Sequence, residues 1–217
     1  MQTTLLSIAI ALILTLVAAL VGPLLIDWGN YRPLIEAEAS RIVGAGVHVT
    51  GAIDGRLLPS PRLTLHDVTV GQGAEALRAG ELTIQFALTP LMRGDWQAEE
   101  MRLSQPQMTL GVDAAGHVLA PKLAFGFEPE ALTVERLQIE GGKVVLEDAA
   151  NATALTLDNI FFNGRARSLI GPFNGSGSLT AAGEHYSIDL AAGRYGDGSV
   201  KLHLGLQPTD HPFSIDT

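Results

Sequence analysis

The stretch from Leu5 to Ile26 constrains this chain more than any other, because it is apolar along its whole length and carries no charge. Only Ser7 and Thr15 are polar. A helix over this stretch would be ~33 Å long, enough to cross the ~30 Å hydrocarbon core of a bilayer. Its aliphatic side chains favour insertion by on the order of 4 to 8 kcal/mol. The sequence therefore predicts a transmembrane anchor over residues 5–26, preceded by a short tail over residues 1–4.

A cleavable signal peptide is the other interpretation of this stretch. Signal peptides combine a basic start, an apolar core of roughly 7 to 15 residues and a small-x-small cleavage site. Here no Lys or Arg precedes the apolar stretch, which is longer than such a core, and no suitable cleavage site leads into a mature start. We therefore predict an uncleaved anchor, with Trp28 and Tyr31 at the membrane interface just beyond it.

The composition restricts the functions open to the rest of the chain. The net charge of -9 argues against a nucleic-acid partner, because phosphate binding needs clustered Lys and Arg. The sequence has no cysteine, which removes thiolate metal sites and cysteine nucleophiles, and its six histidines lie apart from one another. We accordingly predict no catalytic residue, no metal site, no cofactor and no enzymatic activity.

The segment after the anchor, residues 27–46, is predicted to form an amphipathic helix. Asp27 is a good N-cap, and Gly44 and Gly46 end the helical pattern. The apolar residues at helical spacing are Tyr31, Leu34, Ile35, Ala39 and Ile42. The polar side carries charges of both signs rather than a basic stripe. We therefore expect this helix to pack on a sheet rather than lie on the membrane surface.

From Val47 onward the apolar period changes from helical to two, the period of a half-buried strand. Short turns are predicted at residues 113–116, 141–142 and 196–198, and one helical turn at residues 90–94. The sequence thus predicts a mainly β fold, a long antiparallel meander. We divide it into a first β region over residues 47–125 and a continuing region over residues 126–217. The chain ends inside a strand-like segment, as expected for the first part of a longer protein.

Three of the strand segments share an unusual spacing, in which two residues separate two apolar pairs that face the same way. The apolar sets are Leu63, Leu65, Val68 and Val70, then Leu132, Val134, Leu137 and Ile139, then Leu155, Leu157, Ile160 and Phe162. An extra residue inside an alternating strand is typical of a β-bulge, which bends the strand and keeps its apolar set on one face. Two short strands joined by a corner explain the spacing equally well.

The apolar face of such a sheet has to be hidden from water. A closed β-sandwich would bury two apolar faces against each other. Alternatively, an open trough would hold a long apolar ligand against one face. Aromatic residues make up only 6% of the chain, which suits an aliphatic channel slightly better than an interlocked core. The pattern alone leaves both architectures open.

A series of short segments, in order along the chain, carries a resemblance to a known family. The segments are DWGNYRPLIE (27–36), GAIDG (51–55), LPSPRLTL (58–65), DVTVG (67–71), PLMRG (90–94), LSQP (103–106), IEGG (139–142) and GPF (171–173). Together with the anchor, they resemble the N-terminal part of the AsmA family. Members of that family are anchored in the inner membrane of Gram-negative bacteria, and their periplasmic part resembles chorein-type, bridge-like lipid transfer proteins.

The resemblance implies a long β-sheet curled into an elongated hydrophobic groove that carries phospholipid toward the outer membrane and supports its homeostasis. We assign the groove lining to Leu63, Leu65, Val68, Val70, Leu132, Val134, Leu137, Ile139, Leu155, Leu157, Ile160, Phe162, Ile188, Leu202 and Leu204. The expected partners are phospholipid, the inner membrane, and outer-membrane or periplasmic proteins.

The resemblance also implies a single-pass protein of the bacterial inner membrane with the bulk of the chain in the periplasm. The basic residues weakly favour the opposite orientation, because Arg32 and Arg41 follow the span and none precedes it. The alternative function is a membrane-anchored scaffold or assembly factor. Such a protein would affect outer-membrane protein biogenesis through protein contacts, with a closed sandwich and no lipid inside.

Overall fold

A computed structural model describes residues 2–73, 75–93, 97–112, 118–119, 134–148, 151, 153–166, 173–194, 200–209 and 215–216. The helices in these residues are α1 (Gln2–Leu25), a 3-10 turn (Trp28–Tyr31), α2 (Arg32–Val43) and α3 (Leu88–Met92). The strands are β1 (Val47–Val49), β2 (Ile53–Arg56), β3 (Arg62–Val70), β4 (Leu77–Phe86), β5 (Ala98–Ser104), β6 (Gln107–Val112), β7 (Val118–Leu119), β8 (Val134–Asp148), β9 (Thr153–Ala166), β10 (Phe173–Ala181), β11 (Glu184–Arg194), β12 (Val200–Pro208) and β13 (Ile215–Asp216).

Helix α1 coincides with the predicted membrane span. Its 24 residues extend ~36 Å at ~1.5 Å per residue. The segment Leu5–Gly22 has a mean hydropathy of 2.8, and none of it is buried against the rest of the protein. It is the one helix in the described part of the chain that is long and apolar enough to cross a bilayer. Helix α1 can therefore anchor the protein in a membrane.

All the described strands belong to one sheet with the order β1-β3-β4-β5-β8-β9-β10-β11-β12-β13. β1 and β2 pair with the two halves of β3, and β5 and β6 pair with the two halves of β8. Neighbouring strands are antiparallel except that β5 and β6 run parallel to β8. This junction corrects the predicted antiparallel meander. Parallel neighbours require a crossover connection, which the local alternation of side chains does not signal.

The unusual apolar spacing arises within continuous strands. β3 runs unbroken through Asp67 and β9 through Asn159, which have φ angles of 52° and 51°. The pairing of β8 with β9 shifts register between Val134 and Leu137 and again beside Asn159. The three segments are therefore not pairs of strands joined by a corner. The β8–β9 pairing has the register shifts that the bulge interpretation predicted, whereas β3 keeps an unshifted register with β4 through Asp67. Leu132 lies outside the described residues.

The left-handed residues are aligned across neighbouring strands. Gln105, with φ 52°, lies opposite Gly141, with φ 65°, because Ser104 pairs with Glu140 and residue 107 with residue 143. One such residue reverses the alternation of a strand and returns the next apolar side chain to the original face. The prediction of a turn at residues 141–142 was wrong, since both glycines lie inside β8. The predicted turns at 113–116 and 196–198 fall outside the described residues.

Helix α2 covers the first strands of the sheet. The buried cluster there consists of Val47, Val49, Ile53, Leu65 and Val68, and the side chains packed against it include Trp28, Ile35, Ala39 and Val43. The contact stripe of α2 therefore runs through residues 35, 39 and 43. Leu34, which the sequence placed in the stripe, is exposed instead.

The start of α2 also differs from the prediction. Asp27 caps the 3-10 turn, where its Oδ1 accepts a hydrogen bond from the Gly29 N–H at 3.1 Å. The α-helix begins only at Arg32, with Pro33 in its first turn, where the missing N–H of proline costs no hydrogen bond. The predicted end is confirmed, because Gly44 adopts a left-handed φ of 70° and donates its N–H to the Ser40 carbonyl.

Trp28 joins the membrane end of the chain to the sheet by packing on Gly55 of β2. A Cβ at Gly55 would overlap the indole ring. We expect Gly55→Ala to destabilise the protein by ~1 to 3 kcal/mol, because the added methyl group would push the indole ring out of its present packing against the core. Urea denaturation followed by tryptophan fluorescence measures the change. Gly46→Ala is the matched control, because a Cβ there has no heavy atom nearer than 3.9 Å. Equal stability of the two variants would contradict the assigned packing.

Candidate functional site: one apolar face of the sheet

The first edge of the sheet is closed by one side of α2. Three side chains spaced four residues apart bond to the backbone of the edge strand β1 and the residue pair after it. Arg32 donates to the carbonyls of Val49 and Gly51 (2.8 Å for the latter), Glu36 Oε1 accepts from the N–H of Val49 (2.7 Å), and Ser40 Oγ accepts from the N–H of Val47 (2.8 Å). An edge strand with free backbone groups would be a template for another chain. Helix α2 therefore blocks strand addition at this edge.

The pairing of the strands brings most of the predicted lining residues onto one face, which we call the apolar face. Residues directly paired across a ladder share a face. One row across it contains Leu65, Leu82, Leu103, Ile139, Phe162, Gly177, Ile188 and Leu206. The next row contains Leu63, Ile84, Met101, Leu137, Gly164, Gly175, Leu190 and Leu204. The apolar face thus continues over eight strands.

The apolar face continues beyond the line of left-handed residues. Paired residues on that side include Val68 with Ala79, Val70 with Leu77, Gly142 with Ile160, Val144 with Leu157, and Leu146 with Leu155. A Cβ at Gly142 would lie 3.3 Å from Ile139 Cγ2 and 3.3 Å from Pro106 Cγ. Side chains from both sides of the line therefore meet at Gly142 on the same face.

Exposure divides the predicted lining residues into two groups. Leu65 and Val134, each 2% exposed, and Val68 are buried. The partly exposed ones are Leu63, Val70, Leu137, Ile139, Leu157, Ile160, Phe162, Ile188 and Leu204, and Leu155 is 46% exposed. Leu202 is placed only by its backbone, opposite Ala192. No second sheet covers this face within the described residues, since all their strands belong to one sheet.

The sequence prediction missed part of the apolar face. Met101 and Leu103 lie in the charged segment of β5, where a single apolar repeat is too short to signal a strand. Gly164 and Gly175 flatten the face, because the Phe162 ring lies over them and a Cβ at Gly175 would be 2.5 Å from its Cζ. Glycine carries no apolar signal, although Gly175 and Gly177 at alternate positions of β10 indicate a side that cannot hold bulky groups.

The opposite face of the sheet is polar and hydrogen-bonded. Arg102 donates to Gln138 at 3.0 Å and lies 3.1 Å from Glu100, which also faces Arg136 at 3.7 Å. Lys143 and Asp158 form a further pair at 3.4 Å. These charged side chains are well suited to contact with water. The apolar face is therefore the surface of the sheet whose exposure to water is unfavourable.

Two properties of the titratable side chains in the described residues bear on chemistry, namely metal ligation and shifted pKa values. No group of three or more His, Asp or Glu among them is placed to hold a metal ion. On the outer side of α2, the hydrogen bond from Arg41 lowers the pKa of the Glu38 carboxyl, and the same bond raises the pKa of Arg41. This solvent-exposed pair faces no cleft, so it has the character of an ordinary surface ion pair.

These features define a class of protein: a mainly β chain whose N-terminal helix can anchor in a membrane and whose single large sheet has one extended apolar face. The chain belongs to the AsmA family, whose model matches residues 1–122. The match runs from the anchor through β7 and confirms the resemblance seen in the sequence motifs. No curated protein matches the chain.

The two aromatic residues predicted at the membrane interface have different surroundings. Trp28 packs into the cluster under α2, whereas Tyr31 is exposed. The centroids of the two rings are 6.2 Å apart. Trp28 therefore has a structural role in the sheet, and contact of either ring with the membrane remains a prediction.

Proposed function

We propose that the protein is a membrane-anchored lipid-transfer protein that holds the acyl chains of phospholipids on its apolar face. The observation that supports this most is the pair of apolar rows across eight strands, whose side chains are mostly left partly exposed while the other face is charged. Such a row extends ~35 Å at ~4.8 Å per strand. An acyl chain occupies about half of the ~30 Å hydrocarbon core, so more than one fits in file.

In this proposal the sheet bends around the lipid to form a groove. Bulges bend strands, and here the left-handed residues of β3, β5–β6, β8 and β9 are aligned, so their bends add up along one line. We place the apolar face on the concave side and the charged face outside. Membership of the AsmA family supports a role in the bacterial inner membrane, with the sheet in the periplasm and phospholipid moving toward the outer membrane.

Photo-crosslinking in cells tests this function. A photoreactive amino acid at Leu137, Ile139 or Phe162 should give phospholipid adducts, because these side chains point onto the apolar face. The matched controls are Gln138 and Asn163, immediate neighbours that pair with each other on the charged face. We expect lipid adducts, identified by mass spectrometry, only at the apolar positions.

The other outcomes of this experiment are equally informative. Equal labelling of both faces would show non-specific contact with the membrane and would contradict the proposal. Adducts to another protein at Ile139 and its neighbours, without lipid, would favour the scaffold or assembly factor that the sequence left as the alternative.

A further inference from the structure

The end of the sheet that α1 approaches is built by the loop of residues 57–61 and by α3. A cleft of about 560 Å³ lies there between the start of the 3-10 turn and β2, and its lining includes Ile26, Asp27, Arg56 and Arg62. The loop and the segment before α3 are joined, because the Phe86 N–H donates to the Pro61 carbonyl at 2.8 Å. The anchor, the loop and α3 therefore lie at one end of the sheet.

This end combines exposed apolar side chains with arginines that form no ion pair with another described residue. Leu57 is 46% exposed, Leu88 38% and Met92 81%. The side chains of Arg56, Arg62 and Arg93 are also exposed. Of the described carboxylates nearby, Glu99 accepts a hydrogen bond from Gln85, which itself accepts one from Arg62. Asp27 caps the 3-10 turn, and Asp54 lies 3.5 Å from His66.

We propose that residues 56–62 and 88–93 form a second membrane contact, which rests in the phosphate headgroup layer of the bilayer that α1 spans. Exposed leucine and methionine side chains are stabilised when they leave water and enter the boundary between headgroups and acyl chains. Arginines beside them are attracted electrostatically to the lipid phosphates. Ile26, the residue directly after α1, lines the adjoining cleft, so the membrane span holds this surface next to the bilayer. Its occupant is therefore the lipid surface itself.

This inference rests on the proposed function and adds the point where lipid enters. Leu63 and Ile84, paired with each other, are the first residues of an apolar row. Leu63 directly follows the first segment of the contact, and Ile84 lies in β4, four residues before the second. A lipid leaving the bilayer there would pass from the acyl-chain region onto the apolar face without crossing water.

The chain has no cysteine, so single engineered cysteines report position without background labelling. We would attach an environment-sensitive fluorophore to Leu57→Cys or Met92→Cys in the full chain, reconstituted in vesicles of phosphatidylethanolamine and phosphatidylglycerol. The control is Gln72→Cys, in the exposed turn between β3 and β4 at the other end of the sheet. We expect a blue shift and loss of emission on adding spin-labelled lipid at positions 57 and 92, but not at 72.

The three arginines provide the second variant. Combined Arg56→Gln, Arg62→Gln and Arg93→Gln should weaken quenching at position 92, and added salt should weaken it in the parent chain. Unchanged circular dichroism checks that the exposed substitutions leave the sheet folded. Labels at 57 and 92 that behave like the one at 72 overturn the membrane contact. If lipid crosslinks at Leu137 persist in that case, the lipid-transfer function stands and only the entry point is wrong.

Discussion

Leu157→Asp and Leu204→Glu should leave the protein folded and abolish its lipid binding. Both side chains are only partly buried on the apolar face, so water can reach a carboxylate placed there, and we expect a stability loss of ~1 to 2 kcal/mol. The charge would nevertheless stand where acyl chains have to lie, and an ion in an apolar channel is expensive. The variants should be soluble and should bring no phospholipid through purification.

Leu65→Asp is the matched control for burial. Leu65 lies on the same apolar face but beneath α2, where the charge has no access to water, so we expect a loss of ~3 to 5 kcal/mol or more and an unfolded domain. Leu157→Met should keep both stability and lipid. Thermal melts and lipid extraction of the four variants separate the cases. If Leu157→Asp melts as low as Leu65→Asp, the face is a closed core and the open-groove proposal fails.

Removing the contacts between α2 and the sheet edge should have the second large effect. In a variant combining Arg32→Ala with Glu36→Ala, the N–H of Val49 loses its partner, as do the carbonyls of Val49 and Gly51. We expect a loss of ~1 to 3 kcal/mol for each buried group left unpaired. The freed edge should also pair with other chains, because β1 would then offer its backbone groups.

Urea denaturation and size-exclusion chromatography with light scattering measure both consequences. Glu38→Gln is the control, because that side chain lies on the exposed side of α2 and bonds only to Arg41 among its described contacts. We expect no change in its melting temperature or oligomeric state. A double variant that stays monomeric and as stable as Glu38→Gln would show that α2 does not protect the edge.

Local sequence signals were enough to predict several elements. Helix α1 follows from an uninterrupted apolar stretch, and the change to period two at Val47 marks the start of the sheet. The extra residues near Asp67 and Asn159 could be predicted from the sequence. A residue inserted into a strand that is apolar on one side moves the following apolar side chains to the other face, which disturbs the period of two. Gly44 as the end of α2 was readable because a left-handed cap favours glycine.

How these elements pack together depends on contacts between residues that are distant in the sequence. The parallel junction of β5 and β6 with β8 depends on residues distant along the chain, and alternation reads the same in parallel and antiparallel strands. In the sequence, Arg32 and Glu36 are indistinguishable from ordinary surface residues of a helix. Only the folded structure shows that they bond to the edge strand. Leu65 and Leu157 carry the same apolar signal, yet one is buried under α2 and the other is left partly open. The apolar period predicts on which face of the sheet a side chain lies. Whether that side chain is buried depends on which helix or strand, distant in the sequence, packs over that face.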